Sequence, residues 1–157
     1  MSNTADTALD LLTEYVTVTI GDHMFGLPIF RVQDVFVPAR VTRVPLAPPE
    51  VAGILNLRGR VVTAIDMRSR LDLGARSPGT QVMAIGIELK GEFYGLLVDS
   101  VGEVLQLRNA ACEANPANLD AGLSRVAAGI YRLEGQLMVV LDVDRVLDIQ
   151  NGAAVAA

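Results

Sequence analysis

The chain offers few side chains able to do covalent or acid–base chemistry. His23 is its one histidine and Cys112 its one cysteine. A nucleophile–base pair would require these two to meet, and neither sits in a local motif for that chemistry. A zinc site would have to be built largely from carboxylates, which suit zinc poorly. His23 directly follows Gly21-Asp22 and reads as a surface turn residue. Asp66 and Asp142 close apolar runs in matching surroundings. Duplicated lobes that each supply one aspartate can hold two carboxylates on a shared proton. Here, however, Met67-Arg68 and Val143-Asp144 follow in place of the small residues such loops need, so each aspartate reads as a helix N-cap. No Gly-x-Gly-x-x-Gly and no Gly-Lys-Ser/Thr is present to cradle a phosphate. The residues therefore predict no catalytic set, no metal and no cofactor.

These scarce groups sit in 157 residues that are 51% hydrophobic but only 4% aromatic, with no tryptophan. Such a chain builds its core from Val, Leu, Ile and Ala. A chain of this length buries roughly 70% of the surface its unfolded form exposes, so it needs no disulfide to fold. Thirteen basic and eighteen acidic residues give a net charge of −5, with both signs scattered. A basic stripe for nucleic acid is excluded. The longest uncharged run, Ser77 to Ile87, has eleven residues. A membrane span needs about 18, so no direct membrane insertion is expected. Met1 to Asp10 carries Asp6 and Asp10 but no Lys or Arg, unlike a secretory signal, and the expectation is a soluble cytoplasmic protein.

The chain is internally duplicated. Val16, Val18 and Ile20 alternate with Tyr15, Thr17 and Thr19, the pattern of a half-buried strand. Gly21-Asp22 turns it into Met24-Phe25-Gly26-Leu27. The same device recurs over Val82 to Leu89, turning at Lys90-Gly91 into Phe93-Tyr94-Gly95-Leu96, at an offset of 95 − 26 = 69. A second block, Val51 to Met67, matches Ala127 to Val143 at an offset of 129 − 53 = 76. Six of those seventeen positions are identical, against about one expected by chance from average usage.

Each copy therefore holds two hairpins, the second turning at Arg58-Gly59 or Glu134-Gly135. Many short strands with glycine turns and little helix predict an all-β fold of small barrels or a sandwich. The repeat places one unit at about 14–73 and the other at about 80–150, with strand exchange between them as a further option. Residues 1–13 and 151–157 read as flexible tails, and Gly74 to Gly79 as the junction.

Where the copies keep their framework, their surfaces diverge. Asn56 and Arg58 become Arg132 and Glu134, while Phe30 and Arg31 become Asp99 and Ser100. Ile29, Val32 and Val35 recur at three-residue spacing around Arg31 and Asp34, with Phe36 beside them. Part of that stripe is core, and the rest is a candidate docking ridge.

Val51-Ala52-Gly53-Ile54-Leu55-Asn56-Leu57-Arg58-Gly59 followed by Val61-Val62-Thr63-Ala64-Ile65-Asp66-Met67-Arg68 resembles the signature of the CheW family of chemotaxis coupling proteins. Val32-Gln33-Asp34-Val35, Val41-Thr42-Arg43-Val44-Pro45, Gly95-Leu96-Leu97-Val98-Asp99 and the block from Gly129 to Leu147 are similar to the same family. The resemblance covers about residues 14 to 149. It implies two SH3-like five-stranded β-barrels related by internal duplication, with short helical connections. It also implies a non-enzymatic adaptor joining the cytoplasmic tips of methyl-accepting chemoreceptors to the regulatory domain of the histidine kinase CheA. Contact with other CheW-like domains in rings is a further implied partner. The receptor-binding residues would be Arg58 with Gly53, Asn56 and Gly59. The kinase-binding residues would be Ile29, Val32, Asp34 and Val35, with Asp34 where many members carry Glu. Recruitment to receptor arrays at the inner face of the membrane would follow. The residues themselves leave one alternative open, a small-ligand-binding β-barrel regulatory module.

Overall fold

Short glycine turns decide where this chain folds back. Arg58-Gly59 takes φ values of +53° and +84°, and Lys90-Gly91 takes +53° and +82°. Both are two-residue turns whose backbone geometry suits the right-handed twist of the flanking strands. The computed structural model describes residues 11–74, 79 and 81–149. In chain order the elements are β1 (Leu12–Ile20), β2 (His23–Pro28), a 3-10 turn (Ile29–Arg31), β3 (Val32–Phe36), β4 (Val51–Leu57), β5 (Arg60–Asp66) and helix α1 (Met67–Arg70). The second copy follows as β6 (Met83–Leu89), β7 (Glu92–Val98), β8 (Ser100–Arg108), a 3-10 turn (Asn109–Ala111), helix α2 (Ala121–Ser124), β9 (Ala127–Leu133), β10 (Gln136–Leu141) and helix α3 (Val143–Val146).

These strands form two five-stranded sheets, β8-β1-β2-β10-β9 and β3-β6-β7-β5-β4. Neither sheet is a continuous stretch of chain. Each takes its first hairpin from one copy and its other three strands from the other copy, so the sheets cut across the sequence division at 73/80. The exchange is made through two parallel pairings. Phe25 on β2 lies opposite Val139 on β10, and Gly95 on β7 lies opposite Ala64 on β5. Each sheet closes toward a barrel by the same device. Thr42 and Ile54 exchange hydrogen bonds of 2.7 and 2.8 Å, and Glu113 and Ile130 exchange bonds of 2.8 and 2.9 Å. Edge strands that would otherwise present unpaired backbone are thereby tied down. We call the sheet containing β1 the first barrel and the sheet containing β3 the second.

Strand alternation divides the core into three. Val16, Val18 and Ile20 of β1 join Ile65, Ile85, Ile87 and Leu96 of the other sheet in the largest cluster, which welds the barrels together. On the opposite face, Tyr15 packs with Tyr131, Met138 and Val140, all within the first barrel. Leu55, Val62, Ala64, Ala84 and Leu97 form the matching cluster within the second.

Asp66 and Asp142 are the helix caps that the sequence predicts. Asp66 accepts a bond from the Arg68 amide at 3.1 Å, and Asp142 accepts one from the Arg145 amide at 3.3 Å. Two expectations need correction. Leu12 and Thr13, assigned to the N-terminal tail, belong to β1 and pair with Arg108 and Leu107. His23 is the first residue of β2 and half-buried, because pairing with Ile20 draws it into the sheet. Of the remaining tail and junction residues, 1–10, 75–78 and 151–157 lie outside the described residues.

Candidate functional site

The second barrel carries the candidate site. β3 has a bulge between Val32 and Asp34, and beyond it Asp34 pairs with Gly86 on β6. The bulge re-aims the strand and brings the Asp34 carboxylate to the rim. Glycine at 86 leaves room for it, since a Cβ there would stand 3.3 Å from the Cβ of Asp34. One carboxylate oxygen of Asp34 accepts the Val35 amide at 2.8 Å. The other accepts Nη1 of Arg58 at 2.7 Å.

Arg58 reaches that position from the β4–β5 turn. Asn56 braces the turn, its Oδ1 accepting the Gly59 amide at 3.0 Å. Together Asp34 and Arg58 border a cavity of about 260 Å³ also lined by Phe36, Arg60, Phe93 and Tyr94. The Arg60 guanidinium stands 4.3 Å from the centre of the Phe93 ring, a cation–π contact. Burial raises the Tyr94 hydroxyl pKa above its usual range, with Glu92 adding to the effect. Tyr94 is thus a neutral hydrogen-bonding group at physiological pH. The lining combines aromatic rings with two guanidinium groups and one carboxylate, suited to a partner that combines apolar side chains with carboxylates or carbonyl oxygens.

The residues singled out in the sequence are not all brought together. Arg58 and Asp34, assigned to different partners, are joined as an ion pair. Gly59 completes the turn with Arg58. Gly53 is buried and apart from the cavity lining: its φ is +152°, and a Cβ would run into the Thr42 carbonyl and lie 2.8 Å from Val41. Its role is to let the segment through Thr42 pass close over β4. The apolar stripe is part core and part surface, as its spacing suggested. The bulge breaks the simple alternation of β3: Val32 and Val35 pair with Ile87 and Ile85 and share one face, while Asp34 pairs with Gly86 and lies on the other. Val32 packs against the main core, whereas Val35 and Ile29 remain exposed.

Sequence reasoning missed Arg60, Phe93 and Tyr94. The comparison of copies held a signal for two of them, because Arg60 becomes Gln136 and Phe93 aligns with Met24. Among the described residues, no cluster of three or more His, Cys, Asp or Glu side chains could hold a metal. Among the same residues, no helix is long and apolar enough to cross a membrane.

Residues 14–151 match the CheW-like domain. The chain belongs to the CheW-like family. It is 28% identical over 154 residues to the chemotaxis protein CheW of Rhizobium meliloti, covering 98% of this chain and 99% of that one. The CheW of Bacillus subtilis is 27% identical over 136 residues, covering 87% of each chain. The crystal structure of the scaffolding protein TtCheW from Thermoanaerobacter tengcongensis superposes with a TM-score of 0.79 at 25% identity. That match covers 89% of this chain and 95% of that one.

Proposed function

We propose that this protein is a non-enzymatic adaptor in chemotaxis signalling, coupling chemoreceptor tips to the regulatory domain of a CheA histidine kinase at the cytoplasmic face of the membrane. The observation that carries the reading is the Arg58–Asp34 ion pair on the cavity rim of a CheW-like domain. Arg58 is the receptor-side contact, supported by Asn56 and Gly59 in its turn. Gly53 supports it from below by letting the neighbouring chain close over β4. The kinase side is formed by Asp34 with the exposed Ile29 and Val35, while Val32 holds β3 against the core.

Because the two charges face each other, the two contacts are linked. A receptor group that takes Arg58 must compete with Asp34, and it leaves that carboxylate free for a new donor. Coupling of two binding events requires such a difference in contacts between states. Further CheW-like domains joined edge to edge would reinforce weak contacts through effective concentration.

The test is recruitment of purified protein to receptor signalling fragments and to a CheA regulatory domain. Arg58→Ala should abolish receptor recruitment, and Asp34→Arg should weaken kinase binding. Unchanged recruitment by Arg58→Ala would remove the assigned role. The cavity of about 260 Å³ favours one second reading, a small-ligand regulatory module. Metabolite-dependent thermal stabilisation, with no binding to the kinase domain, would move the assignment there.

A further inference from the structure

Two ion pairs occupy equivalent places in the two barrels with their charges reversed. In the second barrel, Arg68 of α1 meets Asp99 at the exit of β7, with Nη2 to Oδ2 at 2.6 Å and Nε to Oδ1 at 3.1 Å. In the first barrel, Asp144 of α3 meets Arg31 at the exit of β2, at 3.0 Å. Arg68 and Asp144 are repeat equivalents, since 144 − 68 = 76. Arg31 and Asp99 lie one position apart in the repeat, both on the short connection that carries the chain from one sheet to the other. Each pair thus joins the helix of one copy to the hairpin exit of the other copy.

The alternative arrangement gives these pairs their meaning. If each hairpin closed on its own copy, α1 would face the exit of β2 and α3 the exit of β7. Arg68 would then meet Arg31, and Asp144 would meet Asp99, so both contacts would be repulsive. Several strand positions would fit either arrangement because their equivalents are alike, although Tyr15 corresponds to Ala84 and Val62 to Met138. Gly26 and Gly95 are alike, and so are Val18 and Ile87, and Ile20 and Leu89. We propose that the reversed polarity of Arg31–Asp144 and Arg68–Asp99 specifies which hairpin completes which barrel, making this a charge code for strand exchange. Opposite charges reward the native pairing while like charges penalise the competitor, as in partner selection between similar helices.

A swap of one pair separates this device from two ordinary ion pairs. In the double variant Arg31→Asp with Asp144→Arg, every native contact keeps opposite charges. The competing arrangement also becomes satisfied, because Arg68 would face the new carboxylate at position 31 and Asp99 the new guanidinium at position 144. Asp99 is left untouched, so its bond from the Gly21 amide at 2.8 Å is preserved. The control is Arg31→Ala with Asp144→Ala, which removes the native attraction but creates none in the competitor. Each full-length variant is unfolded in urea and refolded. The fraction carrying the Phe25–Val139 and Ala64–Gly95 cross-strand contacts is then measured by NMR. The charge code predicts the highest native fraction for the wild type, a lower one for the alanine control and the lowest for the swap. The swap approaches about one half if the two arrangements become equal in energy. Ordinary ion pairs predict a swap that behaves like the wild type and a control that is worse. A swap at or above the control, or equal fractions in all three proteins, overturns the proposal. Failure of the swap alone to regain native contacts, with the control refolding, supports it.

Discussion

The Arg58 guanidinium lies 2.7 Å from the Asp34 carboxylate, yet 74% of the arginine side chain is open to solvent. A pair so exposed contributes little to stability, on the order of 0–1 kcal/mol. Its effect on binding should be much larger. Arg58→Ala is therefore expected to lower stability by about 1 kcal/mol or less while abolishing receptor recruitment. The charge swap of Arg58→Asp with Asp34→Arg should keep the fold and the intramolecular attraction, but lose both partners. Denaturation and co-sedimentation on the same samples check this. A swapped variant that still binds would mean that only the attraction matters and that the identity of each rim residue does not.

Glycines 53 and 59 stand six residues apart and should respond very differently to alanine. At Gly59 φ is +84° and nothing lies within 4 Å of an added Cβ, so the cost is the left-handed conformation alone, about 1 kcal/mol. At Gly53 the Cβ meets the Thr42 backbone, which the Thr42–Ile54 bonds hold in place. Gly53→Ala should cost about 2–4 kcal/mol and speed hydrogen exchange at the Thr42 and Ile54 amides. Loss of receptor binding in Gly53→Ala would then follow from the damaged fold, and a variant of normal stability would contradict that account.

The two substitutions also mark how far the sequence was legible. Hairpins, caps and the duplication could be read because each is local: alternation, a glycine at a turn, an aspartate before a helix. The exchange of hairpins between copies was only an option, since equivalent strands such as β2 and β7 carry the same apolar pattern and do not name their neighbours. The Ile29-Val32-Val35 stripe was legible in part. Three-residue spacing suggests one face, and the bulge does keep Val32 and Val35 on one, but only Val32 meets the core while Ile29 and Val35 stay exposed. Asp34 and Arg58 were both singled out, yet their contact joins positions 24 residues apart, and no periodicity links them. Gly53 stood out by family resemblance, while its physical reason, a positive φ beneath a crossing backbone, requires the fold.

Arg70 is a place where the copies cannot be interchanged. Its Nε donates to the Val146 carbonyl at 2.8 Å and its Nη2 to the Arg145 carbonyl at 2.8 Å, closing the last turn of α3. Burial lowers the Arg70 pKa somewhat from its usual value, yet the group remains a cation at a helix C-terminus, where positive charge is favoured. The equivalent residue in the second copy is Val146 itself. Arg70→Ala should destabilise the protein by about 1–3 kcal/mol because the Val146 carbonyl loses the Arg70 donor and the Arg145 carbonyl keeps only the Asp148 amide. Amide exchange at residues 145–149 should rise more than at β9. Uniform exchange across the chain would argue that Arg70 acts through general packing.

The Tyr131 hydroxyl makes the stability of the first barrel sensitive to alkali. Tyr131 is only 2% exposed and its ring meets that of Tyr15 edge-on, with centroids 5.4 Å apart. Burial, reinforced by the Tyr15 hydroxyl 3.4 Å away, pushes its pKa well above the ordinary tyrosine range. In the unfolded chain the same group loses its proton at about pH 10. The folded state therefore holds a proton that the unfolded state releases, and stability falls as pH rises. This contribution is fully present below the unfolded pKa, and above it the loss is about 1.4 kcal/mol per pH unit for this one group. Tyr131→Phe removes that dependence while keeping the ring contact. Denaturation between neutral pH and strong alkali should show the wild type losing stability more steeply than Tyr131→Phe, with the two curves separating only above the ordinary tyrosine pKa. Parallel curves over the whole range would mean that the folded protein lets Tyr131 ionise as readily as the unfolded chain does.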